Sequence, residues 1–160
     1  MANHAIHWGE GLFLRPHHFQ ASERGLREQI LLSENWNSAY AYGLRSIDID
    51  EDALVNWRVV VRACHLRLHD GTHVRFPEDA DLDPVELPKD TFNRQDSVMV
   101  YLALPSLKLG HKNADAAGGD PNARYRIESQ EIEDENQAGN SQPLEVRWPN
   151  VRLIIGDDEL

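Results

Sequence analysis

"NWRVVVRACHLRLHDGTHVRFP", residues 56–77, decides the fold class. Two arms rich in Val and alternating with Arg and His flank Asp70-Gly71, a pair suited to the positive φ angles of a tight type I′ turn. Pro77 ends the second arm. A β-hairpin is the reading, and the flanking sequence extends it. Upstream, "AYAYGLRSIDID" (39–50) sets Leu44, Ser46 and Asp48 against Arg45, Ile47 and Ile49, the period of a strand. Downstream, 78–96 is acidic and holds Pro84 and Pro88, so it reads as a connection with a short strand at Val85 to Leu87. "SVMVYLALP" (97–105) reads as a buried strand stopped by Pro105, and "LGHKNADAAGGDPNA" (109–123) as a long mobile loop. "RYRIESQEI" (124–132) is a half-exposed strand with Tyr125 and Ile127 inward. After a polar loop, "PLEVRWPNVRLIIG" (143–156) gives two short strands bent at Trp148-Pro149-Asn150.

The N-terminal end differs. "HAIHWGEGLFLRPHHFQ" (4–20) places Trp8, Leu12, Phe13 and Leu14 in an extended stretch, 1–15, ahead of Pro16. Proline fits a first helical position, where its missing N–H leaves nothing unbonded. Residues 16–34 then read as a helix, with Phe19, Leu26 and Ile30 in one stripe that needs a tertiary surface to lean on. Gly25 weakens that helix by about 1 kcal/mol relative to Ala. One helix followed by some seven short strands indicates a mainly β fold. The expectation is a single domain over 1–160, an antiparallel β-sandwich (39–156) with one N-terminal α-helix.

The totals narrow the function classes. The 160 residues carry a net charge of -11, with 27 acidic and 16 basic side chains. That balance opposes binding to a phosphate backbone, so no nucleic-acid partner is expected. Eighteen of the 27 acids fall in 48–52, 78–90, 128–135 and 157–159, where the simplest role is solvated charge. Arg58, Arg62 and Arg67 are spaced along strands where they can meet carboxylates. No apolar run approaches the roughly 20 residues of a membrane span, and no signal peptide is evident. Direct membrane insertion is not expected.

Catalytic chemistry finds no footing. The one cysteine, Cys64, excludes an internal disulfide and reads as a buried small hydrophobe. His17 and His18 diverge by about 100° on a helix. His65 and His69 share a strand face but stand ~13 Å apart. His69 and His73 meet across the turn only if its loop has three residues, and they lack an obvious third ligand; His4 and His7 lie in the loose terminus. No metal, cofactor or catalytic residue is assigned.

Two stretches carry a resemblance. "HWGEGLFLRPHHFQASER" (7–24) resembles the N-terminal signature of the TssK family of type VI secretion baseplate proteins, W-x-E-G-x-x-L-x-P-Q-H-F-Q. Trp8, Glu10, Gly11, Leu14, Pro16, His18, Phe19 and Gln20 match, and His17 replaces the usual Gln. "WPNVRLIIGDDEL" (148–160) resembles the end of that family's first domain, where a W-x-N-L-R-L-like strand runs into an acidic G-D-E. The resemblance implies a shoulder domain similar to that of tailed-phage receptor-binding proteins. It implies a cytoplasmic, non-catalytic module at the inner-membrane-associated baseplate that attaches to a TssF–TssG wedge and, in full-length members, to other TssK protomers. Contacts with TssL and TssM belong to a C-terminal head that is absent here, as is the neck. The stop at Leu160 reads as the edge of a piece, leaving apolar surface exposed at Val151 to Ile155. Trp8, Leu12, Phe13, Leu14 and Phe19 are the candidate partner-binding residues. Their alternative role is core, with Leu14 and Phe19 stapling the helix to the sandwich. The alternative function is a phage-like adhesin or carbohydrate-binding β-sandwich, which needs exposed aromatics such as Trp57 or Tyr101 beside acidic loops. A hydrolase using loop carboxylates stands third.

Overall fold

The computed structural model describes residues 5–89, 97–116, 119–137 and 139–156. Along the chain run α1 (Pro16–Asn37), β1 (Gly43–Ile49), α2 (Glu51–Val55), β2 (Arg58–Val59), β3 (Val61–Arg67), β4 (His73–Phe76) and β5 (Val85–Glu86). β6 (Val100–Ala103), β7 (Ala114–Asp115), β8 (Tyr125–Ile132), β9 (Gln142–Pro149) and β10 (Arg152–Ile155) follow. Four small sheets have the orders β1-β3-β4, β10-β6, β2-β5 and β7-β8-β9. The β6–β10, β2–β5 and β8–β9 pairs are antiparallel, whereas β7 runs parallel to β8. The class is mainly β with an N-terminal helix, as expected. Two compact units divide it: one holds the residues up to Arg45 with Leu66–His73, the other Ser46–His65 and the chain from Val74 onward.

In the first unit, Pro16 opens α1, which runs past the expected end at 34 to Asn37. Asn35 and Asn37 belong to the last turn. The Asn37 side chain donates to the Ser33 carbonyl at 3.0 Å, and the Ser38 N–H donates to the Glu34 carbonyl at 2.8 Å. The hairpin tip forms by a different turn from the type I′ expected. Gly71 N–H donates to the Leu68 carbonyl at 2.9 Å and Leu68 N–H to the Thr72 carbonyl at 2.8 Å. Gly71 alone has positive φ, at 82°. This is a three-residue loop, a type I turn closed by a left-handed glycine, and it spares Asp70 a strained backbone. Asp70 instead accepts the Thr72 N–H at 3.0 Å. The helix meets this tip through an Arg67–Glu34 ion pair and through Leu31, whose Cδ1 would stand 3.2 Å from any Cβ on residue 71.

The second unit holds most of the buried apolar side chains: Val59, Val61, Cys64, Val74, Ala80, Leu82, Ala123, Tyr125 and Val151. Cys64 is 3% exposed, the buried small hydrophobe expected of it. The first hairpin arm is broken, because β2 leaves at Val60 to pair with β5, the short strand anticipated near Val85. The acidic 48–52 stretch is more than solvated charge. Asp50 caps α2 by accepting the Ala53 N–H at 3.0 Å and pairs with Arg62 at 2.9 Å. Those two contacts, in that order, hold its carboxyl below the usual range. Arg62 and Arg67 thus meet carboxylates as expected, and Arg58 lies exposed.

Residues 97–105 yield only β6, half-buried rather than buried, and among the described residues β10 is its one strand neighbour. Val151 is 4% exposed and β10 is half-buried against β6, so the apolar surface expected at Val151 to Ile155 is largely covered. Within 109–123, read as loose, the described residues carry β7 and a set of clasps. Asn113 accepts the Lys108 N–H at 2.8 Å and donates to the Lys108 and His111 carbonyls at 2.7 and 2.9 Å.

Candidate functional site

The opening signature folds into a local device. Leu12 N–H donates to the Gly9 carbonyl at 3.3 Å, with Gly11 at φ 80°. Such a turn requires a left-handed residue at its third position, which explains Gly11 in the motif. The chain then reaches Arg15, whose N–H donates to Nδ1 of His18 at 3.0 Å. This bond ties one residue ahead of the helix to its first turn, where backbone donors otherwise lack partners. The His18 ring in turn faces Trp8 at 6.1 Å between centroids. Trp8, Gly11, Pro16 and His18 are therefore a turn, a helix start and an aromatic contact that fix the segment's course.

The apolar side chains on this device are not covered. Trp8, Leu12, Phe13, Leu14 and Phe19 range from 40% to 78% exposed, Phe13 the most. No described residue of α1 is buried. Leu14 and Phe19, the two named for the stapling alternative, are 53% and 59% exposed. The stripe predicted on α1 is real, but it points outward: Phe19, Leu26 and Ile30 are each more than half exposed. The helix meets the hairpin tip by another face, through Leu31 and Glu34. Leu26 and Ile30 therefore join the candidate surface. Sequence reasoning missed them because an apolar stripe looks the same whether its cover is the core or another molecule. Trp36, 91% exposed, and Tyr40, 78% exposed, lie outside that stripe, so periodicity does not mark them.

The other sequence candidates remain apart. No group of three or more His, Cys, Asp or Glu among the described residues is placed to hold a metal ion, and His4 lies outside those residues. His69 meets Tyr42 at 4.7 Å between ring centroids. Trp57 and Tyr101 are 37% and 39% exposed. Among the described residues no helix is long and apolar enough to cross a membrane.

The closing signature is a structural clasp. Asn150 donates from its side chain to the Ala123 and Asp120 carbonyls at 2.8 and 3.3 Å, and its N–H donates to the Arg124 carbonyl at 2.9 Å. Gly156 N–H donates to the Met99 carbonyl at 2.8 Å, and a Cβ there would lie 3.2 Å from that oxygen. Residues 157–160, the acidic end of the signature, lie outside the described set.

Comparison with known proteins agrees with both signatures. A family model for bacterial type VI secretion (VC_A0110, EvfL, ImpJ, VasE) matches residues 18–160. The type VI secretion system baseplate component TssK1 of Pseudomonas aeruginosa is 30% identical over 169 aligned positions; these cover 99% of this chain and 35% of that protein's length. A crystal structure of TssK superposes with a TM-score of 0.86 at 25% identity, over 99% of this chain and 36% of that one. A chain of the TssK–TssF–TssG baseplate subcomplex, seen by cryo-electron microscopy, gives a TM-score of 0.81 at 21% identity. It is matched over 53% of its length by the whole of this chain, and the likeness is one of fold.

Proposed function

The chain belongs to the bacterial type VI secretion family of VasE and ImpJ, the TssK family, and from that premise we propose that it is a non-catalytic structural module joining TssK to the baseplate wedge. The surface that meets the wedge is the opening segment, Trp8, Leu12, Phe13, Leu14 and Phe19, continued by Leu26 and Ile30 on α1. One observation carries this reading: large apolar side chains are exposed on a backbone held in place by the Gly9–Leu12 turn and the Arg15–His18 bond. Exposed apolar groups on a fixed backbone lose little freedom on association, and Trp and Phe are the side chains enriched where binding energy concentrates. The partners are proposed by analogy with the TssK–TssF–TssG subcomplex, whose chain shares this fold. The module would then act on the cytoplasmic side of the inner membrane and link wedge to membrane complex through the rest of TssK.

Light scattering on the chain, alone and mixed with a TssF–TssG wedge, tests this. Wild type is expected to join the wedge, and Trp8→Ala/Phe13→Ala to stay folded and remain free. A folded double mutant that joins as well as wild type would overturn the assignment of the surface. An unfolded one would make those residues core after all.

A further inference from the structure

We propose that an open cleft of about 640 Å³ between β6, β10 and the 106–113 loop binds an acidic peptide segment of a partner protein, one in which carboxylates alternate with apolar side chains. The cleft lies in the second unit and owes nothing to the opening segment.

The whole chain has three lysines, and two of them, Lys108 and Lys112, line this cleft. Arg152 lines it from β10. A guanidinium at the cleft wall offers paired planar donors that match a carboxylate. Lys112 already holds Asp115 at 2.6 Å, and Lys108 and Arg152 are the other Lys and Arg side chains in the lining, with no ion pair among the described residues. In a chain of net charge -11 such a grouping opposes the general field, so a local anion is favoured where a long polyanion is repelled.

The remaining lining selects the kind of anion. Arg152 and Ile154 alternate on β10 and so share one face of the sheet, and Ala103 stands opposite Arg152 in the β6–β10 register. Ala103, Leu104 and Ile154 give the cleft an apolar part beside its cations. Inorganic phosphate would leave that part unfilled. A peptide alternating glutamate with leucine fills both kinds of subsite. Asp120, also in the lining, accepts the Asn122 N–H at 2.9 Å and sets one negative charge against close-packed anions, as on a phosphate chain.

The walls are built rather than incidental. Asn113 clasps the loop at Lys108 and His111. The buried Asp115 carboxylate, beyond its pairing with Lys112, accepts the Gly119 and Asp120 N–H groups at 2.9 and 3.0 Å. Arg124 donates to the Pro105 carbonyl at 2.7 Å and so fixes the far end of β6.

The test is an amide NMR titration of the chain with a short capped peptide alternating glutamate and leucine. Its controls are the glutamine–leucine analogue, inorganic phosphate and a single-stranded oligonucleotide. Saturable shifts confined to 103–113 and 152–154 are expected, with affinity falling about tenfold in Arg152→Gln, the size expected for one lost charged hydrogen bond. Lys108→Gln, at an exposed position, should weaken binding without disturbing β10. Trp8→Ala/Phe13→Ala should bind the peptide as wild type does, so this proposal and the wedge assignment fail separately. Equal binding of the neutral analogue, of phosphate or of the oligonucleotide would overturn it. So would scattered shifts, or an affinity unchanged in Lys108→Gln.

Discussion

Asn150 shows how much one polar side chain can hold. Its two side-chain donations reach carbonyls 27 and 30 residues away, in a partly buried corner beside the turn from β9 to β10. Asn150→Ala leaves those carbonyls without their donor and should cost about 1–3 kcal/mol. The expected readout is a lower urea midpoint with an unchanged slope. Asp115 makes a pH-dependent contribution. The Lys112 hydrogen bond first, then the Asp120 and Gly119 N–H groups, hold its carboxyl at about 2 against an ordinary 3.8. A depressed carboxyl stabilises the fold above its unfolded value, and that contribution disappears as pH falls through the folded one. The gap in Tm between wild type and Asp115→Asn should therefore be full at neutral pH and close between 3.8 and about 2. Burial pushes the Cys64 thiol up, so a thiol reagent should label it only on unfolding. The cysteine was legible from its apolar run. The clasps were not, because Asn and Asp in polar loops look alike until their distant partners are placed.

At the scale of elements, α1 is the instructive case. Its period and its start at Pro16 were readable, while the destination of its stripe was not. The consequence can be measured. Leu26→Ser/Ile30→Ser should shift stability by no more than about 0.5 kcal/mol per site, as exposed positions do. Truncating the same stripe in a core would cost about 2–5 kcal/mol per residue. Chemical denaturation separates the two, and the folded variant should also join the wedge less tightly. The hairpin was legible from Asp70-Gly71 and its alternating arms. Its turn type depended on one dihedral that composition does not specify. The run 97–105 misled because a half-buried apolar strand carries the same residues as a buried one.

For the molecule as a whole, class and charge were legible. Alternation along 39–76 and 124–155 sufficed for a mainly β fold, whereas the division into two units depends on contacts between segments far apart in sequence. The net charge of -11 opposes association through the exposed apolar stripe. Added salt screens that repulsion, so light scattering should show self-association rising with ionic strength. The first unit is interrupted: α1 and the tip residues that clasp it, Arg67 and Gly71, are separated by the whole of Ser46–His65. During translation the helix leaves the ribosome before its clasp exists, an amphipathic segment with no surface of its own to rest on. Chaperones that recognise nascent apolar stretches would meet it in that interval. A stall or a truncation just past residue 45 would release a helix that the rest of the chain can no longer close.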